Sequence, residues 1–359
     1  MLRSSRRGIT FIGVMVILAV LGFLLVLLII WIGKSREVAR RSACVNKMKQ
    51  IGLGLQNFTH ARRHFPGSST KAWDSAEIGS NDTGHSWQAA ILPYIEENCM
   101  YKRFEIKSGP WGNGNAGPWS SDHAEVLANP NDPNNVNKKC NQLVWSTAVD
   151  TYLCPSRAID SDRIQNSPYP DTINYVGDID TTPAATSYVA LSATHFASLA
   201  GTEESLWAGG DQHPNGVIYP GSKTSPEDLK DGESNTAIVC ETKEPTYSAW
   251  YEGATAGVVG LKTVDGFEKF ASDGGYGIPV NATVALNYGD PDKNQYYCNK
   301  EKPFESIAKW TYGPSSDHPG VVHHLFADGS IHAFTKEISP DLYMRLITRN
   351  GGEPTSTQD

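Results

Sequence analysis

Between Gly8 and Gly33 the chain carries no charged residue, a run of 26 positions with no later counterpart. As a helix this run is roughly 39 Å long, against about 30 Å for the hydrocarbon core of a bilayer, so it can cross one with some tilt. It exceeds the apolar stretch of about 7–15 residues in a secretory signal peptide, and Trp31-Ile32-Gly33-Lys34 is a poor cleavage site. The run therefore predicts a single span over 9–33, with everything else outside the hydrocarbon. Charge separates the same two parts. The net charge is -8, yet residues 1–49 hold nine basic residues and one acid, Glu37, for +8, which leaves -16 on the rest. A body that acidic argues against nucleic acid as a partner, because binding phosphates needs a basic footprint. Arg3, Arg6 and Arg7 precede the span while Lys34, Arg36, Arg40 and Arg41 follow it, so the positive-inside rule leaves the orientation open.

The helix is predicted to continue past the span. Cys44, Met48, Ile51, Leu55 and Phe58 step by 4, 3, 4 and 3 and so share one helical face. Gly52 and Gly54 lower helix propensity without interrupting the stripe. The helix should end before Phe65-Pro66-Gly67, which makes it roughly 80 Å long from Ile9 to about Arg62. A second helix is suggested by Trp87, Ile91, Tyr94, Ile95 and Asn98, with a kink at Pro93. Residues 109–141, rich in Gly, Asn, Pro and Asp, read as loop. The oxygen-rich stretch 129–135 could hold Ca²⁺, but it lacks EF-hand spacing and turn chemistry explains it equally well. Strands are predicted at 151–154, 187–191, 217–219, 236–240 and 321–327. A last helix is predicted over 340–349, capped by Ser339. The fold class is α+β: a long N-terminal transmembrane helix packed on a mainly antiparallel β domain. Its parts are a basic leader 1–8, the span 9–33, the outer half of the helix 34–62, an extracytoplasmic domain 63–350 and a loose tail 351–359.

Candidate sites are few. Asp328-Gly329 between apolar runs predicts a two-residue hairpin turn, pairing Phe326 with Ile331, Leu325 with His332 and His324 with Ala333, with Gly329 at positive φ. His318, His323, His324 and His332 lie near Asp317 and Asp328, and imidazole with carboxylate suits Zn²⁺. Adjacent His323 and His324 face opposite sides of a strand, however, so His318 and Asp328 are read as structural and no metal is expected. Trp73, Trp111, Trp119, Trp207 and Trp250 fall in loop-like stretches, where they could stack on a glycan or anchor loops to the core. There is no His-Glu-x-x-His, Cys-x-x-Cys or phosphate-binding glycine loop, and Gly232-Glu233-Ser234-Asn235-Thr236 is not a nucleophile elbow. No catalytic residue is expected, and the chain is read as a non-enzyme. Six cysteines (Cys44, Cys99, Cys140, Cys154, Cys240, Cys298) all follow the span. In an external domain they permit disulfides. Cys44 lies on the packing stripe and Cys154 ends a predicted strand, which favours Cys44–Cys154 over buried free thiols.

Two resemblances add to this reading. The start, Arg3-Ser4-Ser5-Arg6-Arg7-Gly8-Ile9-Thr10-Phe11, resembles the leader of type IV pilins and pseudopilins. That implies cleavage between Gly8 and Ile9 by a prepilin peptidase, N-methylation of Ile9, a cytoplasmic N-terminus and an extracytoplasmic body. The fifth mature residue is normally Glu in such proteins and is Gly13 here, a departure that bears on methylation and filament packing. The wider set is Cys44-Val45-Asn46-Lys47-Met48-Lys49-Gln50-Ile51-Gly52-Leu53, Ser86-Trp87-Gln88, Leu92-Pro93-Tyr94-Ile95-Glu96, Tyr152-Leu153-Cys154-Pro155-Ser156, Asp231-Gly232-Glu233-Ser234-Asn235-Thr236, and His318 followed after nine residues by Asp328-Gly329. Together these resemble the DUF1559 proteins, pilin-like proteins abundant in planctomycetes, with a C-terminal His-x9-Asp-Gly element. The resemblance implies a pseudopilin-like surface protein tethered in the inner membrane. It would be a component or substrate of a type II secretion or type IV pilus-like system, associating with other pilin-like subunits or with itself. The alternative is an anchored extracytoplasmic protein that binds a glycan or solute and uses the helix only as a tether.

Overall fold

The computed structural model describes residues 11–69, 84–104, 141–157, 162–163, 175–176, 179–180, 182–194, 214–243, 248–251, 253, 256–262, 283–284 and 313–351. The leader with Gly8 and Ile9, the loop 109–140, the tail beyond 351, Cys140, Cys298, Trp73, Trp111, Trp119 and Trp207 lie outside them. One helix, α1, runs from Phe11 to Arg62. Its stripe behaves as its spacing dictates: Cys44, Met48 and Ile51 are fully buried and Leu55 and Phe58 nearly so, while Leu53 on the opposite face is 60% exposed. The apolar side chains of 11–26 touch no body and most stand more than half exposed. Among the described residues no helix is long and apolar enough to cross a membrane. The uncharged run of the sequence extends to either side of the stretch whose side chains are described.

Five strands make the main sheet: β3 (Tyr188–Ala193), β4 (Ala237–Glu241), β5 (Gly257–Val259), β8 (Val322–Phe326) and β9 (Ile331–Phe334), in the order β5-β3-β4-β8-β9. Neighbours are antiparallel except β3 and β5, which run parallel, so the sheet is mixed. Two small ribbons, β1 (Tyr175–Val176) with β2 (Ile179–Asp180) and β6 (Leu261–Lys262) with β7 (Thr283–Val284), lie apart from it. Strands β3, β4 and β8 are buried on both faces, which explains their unbroken apolar runs. Tyr188, Ala190, Val239 and Leu325 pack with the α1 stripe and with α2 (Trp87–Ile91). Val189, Leu191, Cys240, Val322 and Phe326 pack on the other side with Tyr343 and Met344 of the last helix, α5 (Pro340–Arg345). Short α3 (Asn98–Arg103) and α4 (Asn141–Trp145) complete the helices of the described residues.

Several expectations are corrected. Residues 151–154 form no strand: Asp150–Tyr152 is a 3-10 turn, with Tyr152 buried and Asp150 reaching out to Lys47 at 2.8 Å. Val217 and Ile218 are buried and Tyr219 partly so, but 217–219 join no ladder, because the Tyr219 carbonyl accepts from the Ser68 amide and the Val217 carbonyl from Thr224 Oγ1. Pro93 does not kink one helix but divides two: α2 passes into a 3-10 turn at Leu92–Tyr94, and α3 starts anew at Asn98. The C-terminal helix stops at Arg345, four residues early. Of the two readings offered for Trp250 the structure takes loop anchoring: it is a core residue donating Nε1–H to the Thr147 carbonyl.

The hairpin register is shifted by one. Leu325 pairs with Ile331, His324 with His332 and His323 with Ala333. The Gly329 amide donates to the Phe326 carbonyl and the Phe326 amide to the Ser330 carbonyl, both at 2.9 Å, closing a three-residue loop. A two-residue Asp-Gly turn needs positive φ at both residues. Here Gly329 alone has it, at 85°, while the Asp328 carboxylate accepts the Ser330 amide at 2.8 Å and favours the wider loop.

Candidate functional site

The most densely connected polar site lies where α1 crosses the mouth of the sheet. Glu37, Arg41 and Cys44 sit four and three positions apart on α1, so they project from one face. Glu241 ends β4, His323 lies near the start of β8, and His318 sits in the turn before it, its amide donating to Ser316 Oγ. Cys154 follows the 3-10 turn, its amide donating to Ser187 Oγ at 3.0 Å. Cys44 and Cys154 are joined by a disulfide, with Cα atoms 5.0 Å apart. It ties the long helix to the body across a sequence separation of 110. Among the described residues Cys99 is exposed and Cys240 buried, neither in a disulfide.

Around the disulfide runs a chain of ionisable groups. The buried His318 ring meets Glu37 through Nδ1 at 2.8 Å. Its Nε2 faces Glu241 Oε1 at 3.5 Å and Cys154 Sγ at 3.6 Å. Glu241 Oε2 accepts both the backbone amide and Nδ1–H of His323 at 3.0 Å. Arg41 Nε donates to His323 Nε2 at 3.1 Å, which fixes that ring as the Nδ1–H tautomer. Burial works to raise the pKa of Glu241, but the facing imidazoles of His318 and His323 outweigh it and hold the carboxyl at about 2. Burial likewise opposes charge on His318, and its two carboxylate neighbours overcome this and raise its pKa. The hydrogen bond from His318 also lowers that of Glu37. Together the groups form a carboxylate–imidazole–carboxylate relay laid against a disulfide. A shallow surface depression lined by Cys154, Arg157, Glu241, Lys243, Ser316 and Asp317 lies beside it.

The structure disperses the histidine-rich stretch as strand alternation requires. His323 faces α1 and joins the cluster. His324 faces the opposite layer, with Nδ1–H on the Val322 carbonyl at 3.1 Å and Nε2 accepting from Tyr343 Oη at 2.7 Å. His332, across the ladder from His324, lies against Phe326. Asp328 and Gly329 sit at the other end of β8 from His318. The nine-residue spacing is therefore the length of one strand with its flanking turns. Helix α1 holds both ends: Glu37 accepts from His318, and Gln56 Nε2 donates to the Asp328 carbonyl at 2.7 Å. Nineteen helical residues span about 28 Å, close to the roughly 33 Å that ten extended residues cover. Sequence reasoning missed Glu37, Arg41 and Glu241. The available signals were Glu37 as the only acid among residues 1–49 and Glu241 as a charge ending an apolar strand.

Fold and site define an α+β protein in which a long helix is stapled to a mixed sheet through a disulfide and a buried histidine relay. The model of the DUF1559 family, described as proteins of unknown function, matches residues 33–341, and the chain belongs to that family. No curated protein and no solved structure matches it.

Proposed function

We propose that this chain is a membrane-tethered, pseudopilin-like protein with a structural role. Its apolar N-terminal helix half would sit in the inner membrane and its body outside. It would act as a component or substrate of a type II secretion or type IV pilus-like system, alongside other pilin-like subunits or copies of itself. The observation that carries this reading is the division of labour along α1. The helix is continuous from Phe11 to Arg62, apolar and bare over 11–26, held to the body by Glu37 and Arg41 and packed into its core from Cys44 onward. A bare apolar helix needs either lipid or neighbouring helices around it. The leader Arg6-Arg7-Gly8-Ile9 adds prepilin peptidase as a processing partner, with Ile9 as the new, N-methylated terminus. Top-down mass spectrometry of protein recovered from membranes is expected to find a chain starting at Ile9. A chain starting at Met1, or after residue 33, overturns the reading.

Gly13 supports a second reading, a membrane-anchored extracytoplasmic binding protein for a glycan or solute. A Glu at that position normally helps mature pilin subunits dock. Pull-down from membranes distinguishes the two: co-purifying pilin-like subunits or self-assemblies support the first, a lone anchored chain the second.

A further inference from the structure

We propose that Cys44, Cys154, His318 and Glu241 form a zinc-binding site once the Cys44–Cys154 disulfide is opened. One ligand atom from each of these residues lies within 4.8 Å of all the others, and all four residues are buried. Tetrahedral zinc with bonds of about 2.0–2.3 Å places its ligands about 3.3–3.8 Å apart, so the cage is within about one ångström of closing. Two thiolates, one imidazole and one carboxylate are ligands that suit zinc, and the thiolates exclude calcium or magnesium as the preferred ion.

Two further observations point to a cation at this spot. Among the described residues Glu241 Oε1 makes no close hydrogen bond although the residue is only 2% exposed: His318 Nε2 stands 3.5 Å off, beside the sulfur pair. The opposite nitrogen of the same ring, Nδ1, is already engaged by Glu37 at 2.8 Å. A carboxylate on the far nitrogen is the support that zinc-bound histidines use: it fixes the tautomer and turns the Nε2 lone pair inward. In the oxidised chain the ring meets the two carboxylates from opposite sides, Nδ1–H on Glu37 and Nε2–H towards Glu241. Opening the disulfide changes the charge balance. A dithiol gives up two electrons and becomes a cyclic disulfide, the Sγ–Sγ bond breaks, and two thiols remain. Zinc then displaces both thiol protons and the proton on Nε2 to solvent, and its charge offsets two buried thiolates beside Glu241.

The test is a Co²⁺ titration of the full chain in detergent, oxidised or reduced with a phosphine. The reduced chain is expected to take up one Co²⁺ per chain, with thiolate-to-cobalt charge-transfer bands and tetrahedral ligand-field bands that Zn²⁺ abolishes. The oxidised chain should show none of these. His318→Gln and Glu241→Gln should each weaken binding at least tenfold, Glu37→Gln about 10–100-fold while keeping all four ligands, and Cys99→Ser not at all. No uptake by the reduced chain, equal uptake by the oxidised chain, or binding that survives both ligand variants unchanged would each overturn the proposal. Circular dichroism on every sample separates lost ligands from a lost fold: a reduced chain that is unfolded and binds regardless of His318 and Glu241 counts against it.

Discussion

His324 is fully buried between β8 and α5, and burial, against a weak pull from the Val322 carbonyl, lowers its pKa from 6.5 to about 4. The unfolded chain takes up this proton near 6.5 and the folded chain only near 4, so between those values the unfolded state binds more protons. Stability should therefore fall as pH drops through that window, by on the order of 3 kcal/mol in all. Glu241 adds a separate loss between 4.5 and about 2 as its carboxyl is protonated. Chemical denaturation across pH is expected to show both losses, and His324→Gln, which can still bond Tyr343, should flatten only the first. An unchanged slope between 6.5 and 4 in the variant would refute the assignment. Gly329 is the second decisive residue. Its φ of 85° penalises any side chain, and an added Cβ would lie 2.8 Å from Gln56 Nε2. Gly329→Val should cost about 2–3 kcal/mol, read as a lower Tm without change in secondary structure.

The outer half of α1 is an element whose two faces make opposite predictions. Ile51→Ala removes a fully buried side chain between helix and sheet and should cost about 2–4 kcal/mol. Leu53→Ala, two residues on and exposed, should change stability by less than about 0.5 kcal/mol. Urea titrations of the two variants check this; equal effects would mean that the stripe does not carry the packing. Gly54, a poor helix former, sits where a Cβ would come within 2.5 Å of Ile95 Cγ2, so its cost in propensity is the condition for close packing on the 3-10 turn. The stripe was legible because its 3.6-residue period is local. The hairpin was legible as a hairpin but not in register, because the choice between a two- and a three-residue loop rests on which backbone bonds Asp328 and Phe326 make. The apparent strand at 151–154 misled because short apolar runs do not separate a strand from a turn pinned by one buried Tyr and one disulfide.

At the scale of the whole molecule the chain divides at the helix. The described core starts at Cys44, and none of its described residues packs on residues 11–26. Deleting residues 1–33 should leave a folded, monomeric body with its Tm unchanged within a few degrees, since the described core takes in no residue before Cys44. Calorimetry with sedimentation velocity checks this, and a body that unfolds or aggregates would show that the apolar half of α1 is needed for folding itself.

By itself the sequence determined what depends on neighbours along the chain: the uncharged run, the helical stripe after it, the β character of the later segments, the turn at Asp328-Gly329 and the membership of its motif set. Only the tertiary structure decided what depends on residues far apart. It brought Glu37 to His318 and Glu241 to His323 across separations of 281 and 82 residues, and it closed the Cys44–Cys154 disulfide that the sequence had favoured, 110 residues apart. Strand alternation parts His323 from His324, but only the packing of the layers decided which of them meets α1. The reason is physical. Periodicity and turn chemistry are properties of a local segment, whereas the pKa of a buried carboxylate, or the ligand set of an ion, is fixed by whichever elements the core packs against it.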